Sequence, residues 1–225
     1  MTSLYVISTY TAMRKLFILL ILFSAMTLRG QELFTPKTML GISGGMGYSQ
    51  LFTSPFIGIS PLQGYVGGIV FKHISEPHTG IQLELNYIQK GWDEKLDAPN
   101  VYSRRFNYLE FAPLSHFEFG KRNTNLLLHI GPTFSYLLND SITEVVTENF
   151  AGKVYYHSKM EGKIELGLCV GIGITQSTGI GDFQLECRFN QAINNVFSSS
   201  DVFSYSTNQV LTAKLSYMVR IDRLH

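Results

Sequence analysis

Histidine, serine and paired charges are the residues of this sequence that could do chemistry, and their spacing limits what that chemistry can be. If Lys121 to Thr124 form a hairpin loop, His116 lies opposite His129. Two imidazoles at cross-strand distance could begin a zinc or copper site. The pattern places no cysteine or carboxylate to complete it, so the pair reads as hydrogen-bonded histidines, with His73, His78 and His225 near the same end. His157 stands beside Ser158 in a long loop, and a serine or acid with a histidine at a barrel rim can serve acyl hydrolysis or transfer on lipid. Adjacent residues on an extended chain point apart, which sets that pair badly for nucleophile and base. The chain has no Gly-x-Ser-x-Gly, no phosphate-binding glycine loop and no metalloprotease helix motif. No catalytic, cofactor-binding or metal residue is assigned, and no cofactor is expected.

The charges form a second group. Lys72, Glu84, Lys90, Glu110, Glu118, Lys163, Glu165, Asp182, Glu186, Arg188, Lys214 and Arg220 share one parity along their segments, with equal numbers of each sign. Selective pores tend to show rings of one sign, so a balanced set reads as a paired network that fills an interior.

The elements that carry these residues follow from Thr79 to Trp92. There Ile81, Leu83, Leu85 and Tyr87 fall on one face, and Gln82, Glu84, Asn86 and Lys90 on the other. A period of two excludes an amphipathic helix and predicts a strand long enough to cross a bilayer at a tilt. The pattern recurs to predict eight strands: 38–48, 64–73, 79–92, 105–119, 125–138, 163–175, 182–192 and 208–222. Connections alternate long and short, as in a barrel with short periplasmic turns and long outer loops. Gly41, Gly45, Gly68, Gly131, Gly167, Gly171 and Gly173 share parity with the charges, which suits a narrow interior filled by side chains. A soluble barrel would turn its apolar face inward and leave these glycines on a wet exterior. The expected fold is therefore all-β, a transmembrane antiparallel up-and-down β-barrel of about eight strands.

Several finer expectations attach to that fold. Register sets Phe111 opposite Phe134, Pro113 opposite Pro132, Phe117 opposite Leu128 and Glu110 opposite Ser135. Gly171 is expected to face Glu186, and Gly68 to face Glu84. Cys169 and Cys187 fall on opposite faces and should stay free thiols. Tyr48, Tyr65, Trp92, Tyr108, Tyr136 and Tyr217 suit interfacial girdles. The last strand should turn Leu211, Ala213, Leu215, Tyr217, Val219 and Ile221 to lipid.

Arg14 and Lys15, the apolar run Leu16–Phe23 and small or polar residues to Gly30 read as a secretory signal peptide over 1–30, with Met13 as a possible initiator. Residues 31–225 then form one barrel domain. The leader removes three basic residues and no acid from 18 Lys and Arg against 17 Asp and Glu, leaving a net charge of −2. That argues against a nucleic-acid partner. Hydrophobic content of 45% with 16% charged residues suits a dense core and a lipid-facing barrel equally, so patterning decides.

GIQLELNYIQKGW (80–92), FNYLEFAPL (106–114) and LHIGPTFSYLL (128–138) resemble the PorT-type outer-membrane β-barrel family, over about residues 38–140. The resemblance implies an eight-stranded barrel of the outer membrane, and its founding member is tied to a protein-secretion apparatus of the envelope. The expected function is a non-enzymatic, monomeric barrel set in outer-membrane lipid. Its charge-filled lumen is closed, and it acts through loops or rim on an envelope partner. The alternative is a lipid-modifying acyl hydrolase or transferase on the same scaffold.

Overall fold

The computed structural model describes residues 34–55, 58–94, 96–145, 147, 160, 162–197 and 203–221. The expected signal peptide, His157–Ser158, Asp222 and His225 lie outside them. Within the unit Pro36–His225, eight antiparallel strands close into one barrel, each paired to the next and the last to the first. They are β1 (Lys37–Ser54), β2 (Ile59–Glu76), β3 (Thr79–Glu94), β4 (Val101–Lys121), β5 (Thr124–Val145), β6 (Ile164–Ser177), β7 (Asp182–Ala192) and β8 (Tyr205–Arg220).

Burial runs opposite to that of a soluble barrel. Ile42, Leu126 and Ile172 stand 60–67% exposed on the outside, whereas Lys72, Glu84, Lys90, Glu186 and Lys214 are buried inside. An outward belt of bare aliphatic and aromatic side chains on every strand would drive association in water, and it is the surface a bilayer requires. Leu40 to Tyr48 on β1 rise roughly 20 Å along a tilted strand, close to the ~25 Å apolar band of such barrels.

The lumen has room for long charges because two of its walls are thin. β1 presents Gly41, Ser43, Gly45, Gly47 and Ser49 inward, and β6 presents Gly167, Cys169, Gly171 and Gly173. At Gly171 a Cβ would meet the Glu186 carboxylate, so a larger residue there would push that side chain from its place over β6.

The β4–β5 hairpin has the expected register. Phe111 pairs with Phe134, Phe117 with Leu128, Glu110 with Ser135 and His116 with His129. The Phe111 and Phe134 rings stack at 6.4 Å. Pairing lapses between Phe111 and Ser115 while the register holds on both sides, which sets Pro113 across from Pro132. Neither proline has an N–H to give the ladder. The loop is only Arg122–Asn123, with Arg122 at φ 70.

Four expectations are corrected. First, β1, β2, β4, β5 and β8 run further at the long-loop end than the apolar alternation does, because backbone pairing continues after the outward face turns polar. Second, Gly68 pairs with Asn86 and Val70 with Glu84, two residues from the expected register. Third, Glu186 pairs with Gly173, although its carboxylate reaches over Gly171. Fourth, Trp92 and Tyr108 are buried in the lumen, not in a girdle. Both share parity with Lys90 and Glu110, and parity sets the face.

Cys169 is buried and Cys187 exposed, both free, on opposite faces of adjacent strands.

Candidate functional site: the filled lumen

From the short-turn end upward, the lumen begins with Lys72 on β2. Its Nζ donates to Gln184 Oε1 at 2.6 Å and lies 3.9 Å from Glu118 Oε1. Glu118 Oε1 is also 3.0 Å from His116 Nε2, an ion-pair distance whose angle leaves that nitrogen without a proper hydrogen bond. His116 Nδ1 and His129 Nε2 share a hydrogen bond of 2.6 Å, and His129 Nδ1 meets Glu186 Oε1 at 2.9 Å. The sequence placed no carboxylate at this pair; the fold flanks it with two. Glu186 arrives from β7, two strands on from His129, which no local pattern reveals. The two rings spend their facing nitrogens on each other, and among the described residues no group of three or more His, Cys, Asp or Glu is placed to hold a metal ion.

Arg188 is the hub of the next layer. Its Nη1 and Nη2 donate to both oxygens of Glu84 at 2.9 and 2.8 Å, and its Nε and Nη2 to Glu186 at 3.0 Å each. The planar fork suits this double clamp as an ammonium would not. Lys214 Nζ donates to Glu84 Oε2 at 2.5 Å, and Gln82 and Asn86 donate to the same carboxylate at 2.7 and 2.8 Å. Above it, Lys90 bridges Glu110 (2.9 Å) and Glu165 (2.8 Å) and donates to Ser135 Oγ at 3.2 Å.

The charge count differs from the expected balance. Lys163 is exposed before β6 begins, and Arg220 is only half-buried at the end of β8. The buried core of the network is therefore Lys72, Lys90, Arg188 and Lys214 against Glu84, Glu110, Glu118, Glu165, Asp182 and Glu186. Carboxamides hold the surplus acids: Asn190 donates to Glu110, Asn208 to Glu165 and Gln184 to Glu186. Charge-assisted bonds of this kind offset the desolvation of a carboxylate without a second cation. Arg104, outside the predicted strand and so missed, pairs with Asp140 at 2.6 Å at the outer lip.

Above Lys90 the filling turns apolar. Leu51, Val66, Ile88, Trp92, Tyr102, Phe106, Tyr108 and Val210 pack with Val196, Phe197 and Phe203 from the β7–β8 connection. Trp92 meets Phe106 at 5.7 Å and Phe197 edge-on at 5.8 Å. Lys90 Nζ sits 5.2 Å from the Tyr108 ring centre, and Arg104 stacks over Phe106 and Phe197 at 5.3 and 5.1 Å, so cations border the aromatic lid above and below. The sequence signal for this lid was present: the inward parity changes from charged to aromatic beyond Lys90.

As chemistry, the lumen is a cross-linked plug. Its buried cations and carboxylates are held to one another and to carboxamides, under a packed apolar lid.

No curated protein matches the sequence. Neisserial surface protein A is similar at 11% identity and a TM-score of 0.45, over 79% of this chain and 96% of that one. Ail, the attachment invasion locus protein of Yersinia pestis, solved with the heparin analogue sucrose octasulfate, is similar at 11% identity and a TM-score of 0.44, over 81% and 99%. The outer membrane enzyme PagL is similar at 12% identity and a TM-score of 0.43, over 82% and 99%. The model of the outer membrane protein beta-barrel domain matches residues 34–198, most of the chain, and with eight closed strands, a bare apolar exterior and a charged interior this protein belongs to that family.

Proposed function

We propose that this outer-membrane barrel is non-enzymatic, closed to solutes, and engages an envelope protein through its outer projection. Its export removes residues 1–30, residues 31–225 form the barrel, and its specific kinship is with PorT-type barrels.

The observation that carries this reading is the β4–β5 hairpin. β5 pairs with β6 only as far as Tyr136–Ile164, yet continues against β4 to Val101–Val145. Over its last turns outward β5 has a strand on one side only among the described residues. Leu138, Ile142, Val145 and Val101 stand 38–56% exposed there. A strand edge with exposed apolar side chains at the long-loop end suits strand addition by a partner, where backbone bonds give affinity and side-chain pockets give choice.

Photo-crosslinkers placed at Val145 and, on the short-turn side, at Ile180 test it in the native envelope. One protein should be captured reproducibly from Val145 and not from Ile180. The competing enzyme reading rests on His157, outside the described residues. A change in acyl-chain number of the envelope lipid that depends on the protein and vanishes in His157→Ala would defeat the binding reading.

A further inference from the structure

The outward face of the barrel changes in two steps at the long-loop end. Tyr48, Tyr65, Tyr87 and Tyr136 stand 43–64% exposed, as rings at a membrane interface do. Next outward on three adjacent strands come carboxamides: Gln50 beyond Tyr48 on β1, Gln209 beyond Leu211 on β8, and Gln191 beyond Phe189 on β7. Register sets Gln50 against Gln209 and Gln209 against Gln191.

The three amides bond head to tail. Gln50 Nε2 donates to Gln209 Oε1 at 3.0 Å, and Gln209 Nε2 to Gln191 Oε1 at 2.8 Å. Gln191 Nε2 donates on to Thr207 Oγ1 at 3.1 Å and the Ala192 carbonyl at 2.9 Å. A primary amide has two N–H groups and two acceptor lone pairs. Gln50 and Gln209 thus each keep an N–H beyond these bonds, and all three carbonyls keep a lone pair. Bonds in such a row polarise one another, which strengthens the groups left at its ends.

The arc carries no charge. Arg105 and Lys163, cations of the same rim, stand on β4 and before β6. A phosphate would be met by arginine or lysine, whereas unspent amide N–H and C=O groups match sugar hydroxyls and amide linkages. We infer that the Gln50–Gln209–Gln191 arc is a headgroup-binding surface for an outer-leaflet glycolipid with amide-linked acyl chains. Chains of that lipid lie on Tyr48, Leu211 and Phe189 while its headgroup bonds to the arc. The inference rests on the membrane location and not on the protein partner proposed above.

The test uses the purified barrel in detergent micelles with equimolar glucosylceramide and phosphatidylglycerol, counting bound lipids by native mass spectrometry. Wild type should retain glucosylceramide about fivefold over phosphatidylglycerol, the factor expected of one net hydrogen bond. Q50L/Q191L/Q209L should lose the preference, with heat-shifted gel migration reporting that it folds. Q50L alone, which leaves the other two amides in place, should lower it partway and decides the matter if the triple variant does not fold. No preference in the wild type, preference for phosphatidylglycerol, or full preference in a folded variant would overturn the inference.

Discussion

Arg188→Ala is expected to lower the stability of the barrel by about 3 kcal/mol or more, from the cost of stranding a partner of a buried ion pair. The guanidinium holds two carboxylates at once, with four donor contacts of 2.8–3.0 Å divided between Glu84 and Glu186. The loss should fall at the lower end of the range for such pairs, because Lys214 stays on Glu84 and His129 on Glu186. Urea unfolding in micelles, read by heat-shifted migration, measures it. Adding Glu84→Gln to Arg188→Ala should recover part of the loss, since it removes one stranded charge, and that non-additivity is the signature of a network. An Arg188→Ala barrel as stable as wild type would mean that the lumen charges are solvated singly and not cross-linked.

The aromatic lid makes the second large prediction. Trp92 is fully buried between Phe106 and Phe197, and Trp92→Ala should cost about 3–5 kcal/mol through the cavity it leaves. As the single tryptophan of the chain it also reports its own position. In vesicles containing brominated lipid its fluorescence should be quenched little, because the ring faces the lumen. Strong quenching would return Trp92 to the membrane interface and with it the girdle role read from sequence.

These two residues show how far the sequence reached. Period-two alternation over Thr79–Trp92 and its repeats was enough for the strand count, the closed antiparallel order and the inward parity of Glu84, Glu186 and Arg188, because parity is local to a strand. The β4–β5 register was legible too, since a short loop fixes it. What lay beyond reach was set by closure. The approach of Glu186 to His129 and of Arg188 to Glu84 joins β7 to β5 and β3 across the lumen. No cross-strand rule predicts contacts between strands that do not pair. The placement of Trp92 was a different kind of miss. Its parity with Lys90 was visible, but an aromatic at a strand end was given to the interface on residue type alone. Lys163 was placed in the lumen by its parity with Glu165, but β6 begins one residue after it, at Ile164.

The central claim is that this membrane barrel is plugged. Eight strands enclose a space that side chains can fill, and here Lys90 with its acids, the Arg188 clamp and the Trp92 lid fill it in series. Opening a path would break several buried pairs together, at a few kcal/mol for each partner stranded. Purified protein in a planar bilayer is the direct measurement. The wild type, and Arg188→Ala where it folds, should show no defined unitary conductance. Stable, ion-selective channels from the wild type, unchanged by Arg188→Ala, would contradict the account and make the lumen a path.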